Sequence, residues 1–436
     1  MIALLAVLLA QASPPRVSTQ PGVTVRLLTL GEAQRVAQER QPQLRAARGS
    51  TQAAQGRAEQ SRSSLLPQLS AVGNFERSTT NFLFRPGGIV REGISTNWSS
   101  VNLWNSSVNL TQLLWDFGQT SNRWRSTQAS ARAFADQERS TLLQVVFQVR
   151  VAFFNSVAFK ELLAVARETL ANQRNHLVQI QGFVEAGTRA PIDLSQARAD
   201  FATAEVQVIN ADTAYQRSKV LLNQTMGVEG PIDYDVANEG LPPQAGEDGA
   251  FEPLLAAAFE ARPEIASATE QVKAQQLLIQ STRGAYAPSI AAGASFIQST
   301  ETGSNYMGWN VAAGVTLTWN LFQGGFTTGV LHEAEGNLGF AAAQLDLVRQ
   351  QVRADVDQSV LAIRAAKGAL TSARDALVAA RQRLSLAEGR YQNGSGSVIE
   401  LGDAQIAEAN AAAAVVQTDF QLATARAQLL WAIGRW

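Results

Sequence analysis

Two kinds of periodicity share this chain. From Gln119 to Val184, and again from Phe326 to Tyr391, apolar residues recur every three or four positions. Val145, Val149, Ala152 and Phe153 mark the first stretch; Leu345, Val348, Val352 and Val356 mark the second. That spacing predicts helix. Each stretch runs 66 residues without proline, and at ~1.5 Å per residue each would be about 100 Å long. Ordinary globular helices are far shorter, so coiled-coil packing is expected, with Ala-rich faces allowing close approach.

The segment Trp309–Trp319, WNVAAGVTLTW, alternates instead. Trp309, Val311, Ala313, Val315, Leu317 and Trp319 share one face; Asn310, Ala312, Gly314, Thr316, Thr318 and Asn320 share the other. Ten steps between the tryptophans cover about 33 Å of strand at ~3.3 Å per residue. Tilted by ~40°, that projects to about 25 Å, the height of the apolar band between the aromatic girdles of a transmembrane barrel. Trp104, Val108 and Leu110 alternate against Asn105, Asn109 and Thr111 in a second, more polar strand. Leu69, Ala71 and Phe75, then Ile290, Ala292 and Phe296, mark two more. A soluble sheet with the tryptophans in its core is the competing reading; the girdle spacing favours the membrane. The smallest membrane barrels have eight strands, and lipid does not tolerate open edges. Four strands must therefore close by assembly. Two copies would give eight strands and three would give twelve; the pattern does not choose between them.

The chain is also duplicated. Glu185-Ala-Gly-Thr188 matches Gln392-Asn-Gly-Ser395 at an offset of 394 − 187 = 207. Ile192-Asp-Leu194 matches Ile399-Glu-Leu401, and Leu114-Trp-Asp-Phe-Gly118 matches Leu321-Phe-Gln-Gly-Gly325, at the same offset. Upstream, Gln41-Pro-Gln-Leu44 pairs with Arg262-Pro-Glu-Ile265, and Pro67 with Pro288, at 288 − 67 = 221. The change of offset is a net insertion in the first copy, placed in the Gly-, Pro- and Asn-bearing stretch 81–97, as suits an exposed loop. Repeats of this length are too long for solenoid units. They predict a first repeat at 13–228, with strands about 67–78 and 98–116, a long helix about 119–184 and a tip about 185–192. The second repeat is 251–436, with strands about 288–299 and 308–323, a helix about 326–391 and a tip about 392–399. An acidic, proline-bearing linker, 229–250, joins them.

Composition narrows the function. Net charge is -1, charged residues are 17% of the 436, and there is no basic excess for nucleic acid. No cysteine is present, which removes thiolate catalysis, disulfides and Cys-ligated metal. Ile2 to Ala10 is apolar and is followed by Ala10-Gln-Ala12, the pattern of a secretory signal peptide over 1–12. No later run reaches the ~18 apolar residues of a membrane helix. The two histidines, His176 and His332, lack metal-ligand spacing. Gly394-Ser-Gly-Ser397 is not a nucleophile elbow, and Gly324-Gly-Phe-Thr-Thr-Gly329 lacks the lysine of a phosphate loop. No enzyme and no cofactor is expected.

With these features the chain resembles the TolC-like outer-membrane efflux proteins, the outer membrane factors. The residues that carry the likeness are Leu28-Thr-Leu-Gly-Glu-Ala33 with Arg40-Gln-Pro-Gln-Leu44, Ala285-Tyr-Ala-Pro-Ser289 before a strand, Trp319-Asn-Leu-Phe-Gln-Gly-Gly325 after one, and Arg390-Tyr-Gln-Asn-Gly394 at a tip. The resemblance covers 27–436. It implies a mostly α fold with a β-barrel contribution: a homotrimer whose long antiparallel coiled-coil helices form an α-barrel, with four strands per subunit in a twelve-stranded transmembrane barrel. It implies an exit duct for efflux or type I secretion in the bacterial outer membrane. Its partners would be outer-membrane lipid, a periplasmic adaptor and an inner-membrane transporter. The alternative is a soluble periplasmic coiled-coil structural or adaptor protein, which would need one helical hairpin and no girdle of Trp309, Trp319 and Trp104.

Family adaptors dock on the tip turns, which implies Gly187, Thr188, Gly394 and Ser395. Glycines there also end helices. The family narrows its periplasmic mouth with acidic rings, which makes Asp193, Glu400 and Asp403 candidates for a pore constriction. Ser397-Val-Ile-Glu400 is a capping box, and Asp193 and Glu400 hold equivalent helix-start positions. Asp403 lies one turn further in and pairs with Gln196, so capping leaves it unexplained. Tyr391, Arg390 and Arg189 are candidates for closed-state contacts. Gly396 stands where the family pattern carries a basic residue.

Overall fold

The structure is a computed structural model that describes residues 26–79, 98, 100–301 and 307–436. The expected signal peptide and the 81–97 loop lie outside the described residues. The first half comprises β1 (Arg26–Leu28), α1 (Leu30–Arg40), α2 (Pro42–Ser63), β2 (Gln68–Thr79), β3 (Ser100–Trp115), α3 (Gln119–Glu185) and α4 (Pro191–Met226). A connecting segment contributes β4 (Tyr234–Val236). The second half comprises α5 (Phe251–Ala261), α6 (Pro263–Gly284), β5 (Ser289–Glu301), β6 (Met307–Thr318), α7 (Phe326–Gln392) and α8 (Val398–Ala432).

Local chemistry sets these boundaries. Thr29 caps α1 by accepting from the Glu32 amide, and Pro42 and Pro263 occupy the first turns of α2 and α6. α3 and α7 each run 67 residues, and each starts after a left-handed glycine, Gly118 at φ 85° or Gly325 at φ 86°. α4 ends on Gly227, where a Cβ would stand 2.8 Å from Gln41 Cα; at Gly434 it would stand 2.9 Å from the Ala261 carbonyl. These two glycines, 207 residues apart, let the α1–α2 and α5–α6 corners close onto the ends of α4 and α8.

β2, β3, β5 and β6 form one antiparallel sheet in that order. Phe75 lies opposite Trp104 in the first hairpin, and Phe296 opposite Val311 in the second. The sequence offsets carry one pair onto the other, so the two hairpins share one register. β6 exposes Trp309 (70%), Val311, Val315 and Leu317 on one face. β6 stops at Thr318 rather than near 323. The Trp319 indole donates to the Tyr286 carbonyl at 3.1 Å, and Gly324 and Gly325, both at positive φ, then turn the chain into α7.

Among the described residues four clusters hold the helices, the smallest being Ala54, Ala58 and Ala131 between α2 and α3. Val145, Val149, Phe153, Tyr215 and Leu222 pack in the first half, and Val352, Val356, Ile363 and Leu429 in the second. Ile180, Ala197, Ala387, Tyr391, Leu401 and Ala404 join the two halves at the tip end. One stretch of α3 is as long and apolar as a membrane helix, contrary to expectation, and 56% of it is buried within the protein. Its apolar side chains serve the core.

The connecting segment is packed. β4 pairs in parallel with β1, Arg26 opposite Tyr234. Glu247, 2% exposed, accepts from Arg426 Nε and Nη2 at 3.1 and 3.0 Å, lies 2.8 Å from Lys367 Nζ, and accepts from the Gln244 amide. This clamp ties 244–248 to α7 and α8. It holds the Glu247 carboxyl at about 2, since the bonds from Arg426, Gln244 and Lys367 outweigh the upward push of burial.

Candidate functional site at the helical tips

Each tip is a helix end closed by a left-handed glycine. Gly187 (φ 72°) follows α3; its amide donates to Val184 O, and the Thr188 amide and hydroxyl both donate to Phe183 O. Gly394 (φ 77°) follows α7; its amide donates to Tyr391 O, and the Ser395 amide and hydroxyl both donate to Arg390 O. The two turns thus close with the same pattern. All four residues are exposed.

Gly396 has a steric cause. A Cβ there would lie 2.9 Å from Tyr391 N and 3.1 Å from Arg390 C. No side chain fits, so a basic group at the tip has to come from elsewhere. Arg189, in the other turn, donates from Nη2 to Tyr391 O at 3.0 Å, and its guanidinium sits 4.5 Å from the centre of the Tyr391 ring. Tyr391 is fully buried, and His176 on α3 meets its ring edge-on at 5.6 Å. The Tyr391 hydroxyl is buried and has no hydrogen-bond partner among the described residues. Burial pushes its pKa up, the Arg189 charge opposes that push, and the Asp193 charge adds to it. Burial likewise lowers the His176 pKa against the pull of Asp200. The first hairpin therefore latches the end of α7 through Arg189 and His176.

Arg390 lies outside this latch. Its Nη1 donates to Glu400 Oε1 at 2.6 Å, while the Glu400 amide donates to Ser397 Oγ at 3.1 Å. Glu400 is thus engaged at the start of α8. Asp193 and Asp403 make no ion pair or side-chain hydrogen bond among the described residues, and both line a groove of about 690 Å³ between α4 and α8, floored by α3. Asp200, Gln173, Gln196, Ile192, Ile399 and Ile406 share its lining. Glu400 does not. Asp200 was legible from helical spacing, since 193, 196, 200 and 203 follow one face. Gln173 and His176 sit on α3 and carried no such signal.

At the far end, Trp104 packs on Phe75 across the first hairpin, with ring centres 4.7 Å apart. Trp104, Trp309 and Trp319 are all more than half exposed.

The model of the outer membrane efflux protein family matches residues 34–228 and 254–435. The chain belongs to that family. The unmatched span of this efflux-family protein, 229–253, holds β4 and the Glu247 clamp. Among curated relatives, the outer membrane efflux protein BepC of Brucella suis is 22% identical over 268 residues, 61% of this chain and 58% of that protein. Protein CyaE of Bordetella pertussis is 26% identical over 325 residues, 74% of this chain and 67% of that protein. The chain thus spans less than two thirds of BepC. The CmeC outer membrane channel of Campylobacter jejuni superimposes with a TM-score of 0.80 at 17% identity, covering 99% of this chain and 94% of that one. VceC, an outer membrane protein of Vibrio cholerae, gives 0.79 at 18% identity, covering 93% and 96%. These likenesses establish the fold of the efflux-family chain, two long helical hairpins on a four-stranded sheet.

Proposed function

We propose that three copies of this chain form an outer-membrane duct, through which cargo delivered by an inner-membrane transporter and a periplasmic adaptor leaves the cell passively. The observation that carries the reading is the sheet. Its face bearing Trp309, Val311, Val315 and Leu317 is exposed, and among the described residues its terminal strands β2 and β6 each pair with a strand on one side only. Lipid accepts such a face only in a closed barrel. Three sheets make a twelve-stranded barrel, and the ~100 Å helices below it are long enough for a periplasmic tunnel. A soluble adaptor would need one hairpin, whereas α3–α4 and α7–α8 make two.

The Gly187–Thr188 and Gly394–Ser395 turns are the adaptor-docking points in this reading, and Arg189 with Tyr391 holds the closed state. Asp403 and Asp193 face the narrow periplasmic mouth, and three copies of each favour cations. Glu400, tied to Arg390, acts on helix stability rather than selectivity. The test has two parts. Detergent extraction from outer membranes should yield a species of about three times the chain's 46.7 kDa. In planar bilayers Asp403→Asn should shift the reversal potential toward non-selectivity. A soluble monomer would overturn the duct, and an unchanged potential would remove Asp403 from the constriction.

A further inference from the structure

The sheet meets the helices at a junction that differs between the repeats. In β3 the pairing slips by one residue between Leu113 and Trp115, so Trp115, not Leu114, stands opposite Ile290. Ile290 faces Leu317 across the next pair. Trp115 therefore joins the row of the exposed apolar face; bulges re-aim side chains in this way. Two residues on, Phe117 sits at φ 55°, the one residue other than glycine at positive φ among the described residues. Its equivalent in the second repeat is Gly324, at φ 58°. That backbone is strained for a bulky side chain. The Phe117 ring is half exposed and meets Trp115 edge-on, with centres 6.0 Å apart. The first repeat thus keeps a strained aromatic pair at the end of the apolar face nearest the helices.

A second difference lies just below, where α2 and α3 run side by side. Arg62, in the last turn of α2, lies over the Trp124 ring at 5.9 Å. Arg125 follows Trp124 and is exposed, and neither guanidinium has a hydrogen bond or ion pair among the described residues. The second repeat carries Arg283, Leu331 and His332 at these positions. There Arg283 lies 3.8 Å from Glu335, whose equivalent on α3 is the neutral Gln128. Both arginines suit a helix C-terminus; only the one in the first repeat lacks an anion. Arg62, Trp124 and Gln128 line a cleft of about 370 Å³ with Glu59 and Arg132, and Arg132 is taken up by Glu270 at 2.8 Å. Glu59 lies about one turn further from the sheet than Arg62.

The faces of α3 tell which way this cleft looks. Val145, Val149 and Phe153 share a buried cluster with Leu28, Ala33, Ala37 and Tyr234. A duct keeps its lumen clear, so that packing marks the outer face of α3. Coiled-coil faces repeat every seven residues, and 153 − 125 = 28, 149 − 128 = 21 and 145 − 124 = 21. Trp124, Arg125 and Gln128 therefore look outward. Arg125 stands 125 − 118 = 7 residues past Gly118, about 10 Å along the helix. From there its long side chain reaches the headgroup layer that flanks the hydrocarbon core. We infer that the cleft seats the headgroup phosphate of an anionic glycerophospholipid, held by Arg62 and Arg125 beside Trp124, with the acyl chains against Trp115 and Phe117. The inference rests on the membrane placement of the sheet and adds a lipid class and its site.

Native mass spectrometry of the detergent-solubilised protein, with phosphatidylglycerol or phosphatidylcholine added, tests the site. The parent should retain phosphatidylglycerol in preference. Each basic residue beside an anionic lipid surface is worth about fivefold in affinity, so Arg62→Gln with Arg125→Gln should retain about 25-fold less phosphatidylglycerol. Arg62→Lys with Arg125→Lys should keep most of it. Arg283→Gln, whose guanidinium has Glu335 beside it, is the control and should leave retention unchanged. Inorganic phosphate should not displace the lipid. Equal retention of the two lipids by the parent, no loss in the double Gln variant, or an equal loss in Arg283→Gln would overturn the site. Displacement by inorganic phosphate would overturn the lipid assignment. A soluble, lipid-free monomer would overturn the membrane reading and the site with it.

Discussion

The tip latch makes a prediction that separates two uses of one side chain. Arg189 contributes a charged hydrogen bond to the Tyr391 carbonyl and a cation–π contact with its ring. The first is worth about 1.5–3 kcal/mol and the second about 0.5–2 kcal/mol at a half-buried site. The two share one guanidinium and do not add fully, so Arg189→Ala should weaken the closed tip by about 2–3 kcal/mol per copy. That is roughly a 30- to 150-fold shift toward the open state per copy. Tyr391→Phe should do almost nothing, because the lost hydroxyl is buried and has no partner among the described residues, and removing an unpaired polar group forfeits no bond. Tyr391→Ala should match or exceed Arg189→Ala, since ring and packing go together. The assay is single-channel conductance of the purified protein in planar bilayers, with folding checked by native mass. Arg189→Ala with parental conductance would refute the latch. Tyr391→Phe opening as widely as Arg189→Ala would show that the hydroxyl, not the ring and carbonyl, closes the tip.

Two further outcomes concern the body of the chain. Glu247→Gln should release the connecting segment. The drop of its carboxyl from 4.5 to about 2 corresponds to about 3 kcal/mol at ~1.4 kcal/mol per unit. Because the folded value is the lower one, that stability is fully present above pH 4.5 and is lost as the pH falls toward 2. Hydrogen exchange across 238–250 should accelerate in the variant at pH 7 and in the parent only on strong acidification; equal protection at pH 7 would contradict the clamp. Gly227→Ala combines a φ of 69° with a Cβ 2.8 Å from Gln41 Cα, a clash and a strained backbone together costing several kcal/mol. Lower yield of folded protein is expected from it, whereas Gly31→Ala, with nothing within 4 Å, should express normally.

Much of this fold was legible because its signals are periodic and occur twice. Helices of 67 residues without proline, and strands with one apolar face, announce themselves locally, and the duplication fixes which pieces correspond. What was not legible depends on partners distant in sequence. β1 and β4 are three residues each, too short to show alternation, and they find each other across the whole first repeat. The acidic linker looked like a spacer because nothing in 229–250 announces that Arg426 and Lys367 await Glu247. Glu400 was legible as part of a capping box and as a candidate pore acid; its bond to Arg390, ten residues back, was not, because the helix-end geometry brings the two together. Arg189 was visible as a charge near the tip, yet its contact with Tyr391 spans 202 residues.

The comparison of the two repeats also separates shape from chemistry. Where α4 ends, Gln41 donates to the Thr225 carbonyl at 2.8 Å; where α8 ends, the equivalent Arg262 donates to the Trp431 carbonyl at 3.2 Å. Arg262 further pairs with buried Asp355 at 2.7 Å and lies 4.2 Å from the centre of the Trp431 ring. In the first repeat those two partners are Gln148 and Gln224. One geometry, a side-chain amide or guanidinium closing a helix C-terminus, thus survives with a neutral set in one half and an ionic, aromatic set in the other. The glycines that make the corner, Gly227 and Gly434, did not change, because backbone clearance leaves no alternative. The tips follow the same rule: Gly187 and Gly394 are fixed by φ, while Arg189 and Gly396 differ. The duplicated backbone thus supplies the same turn at both tips, and the divergent side chains set the latch between them, with Arg189 of one turn holding Tyr391 of the other.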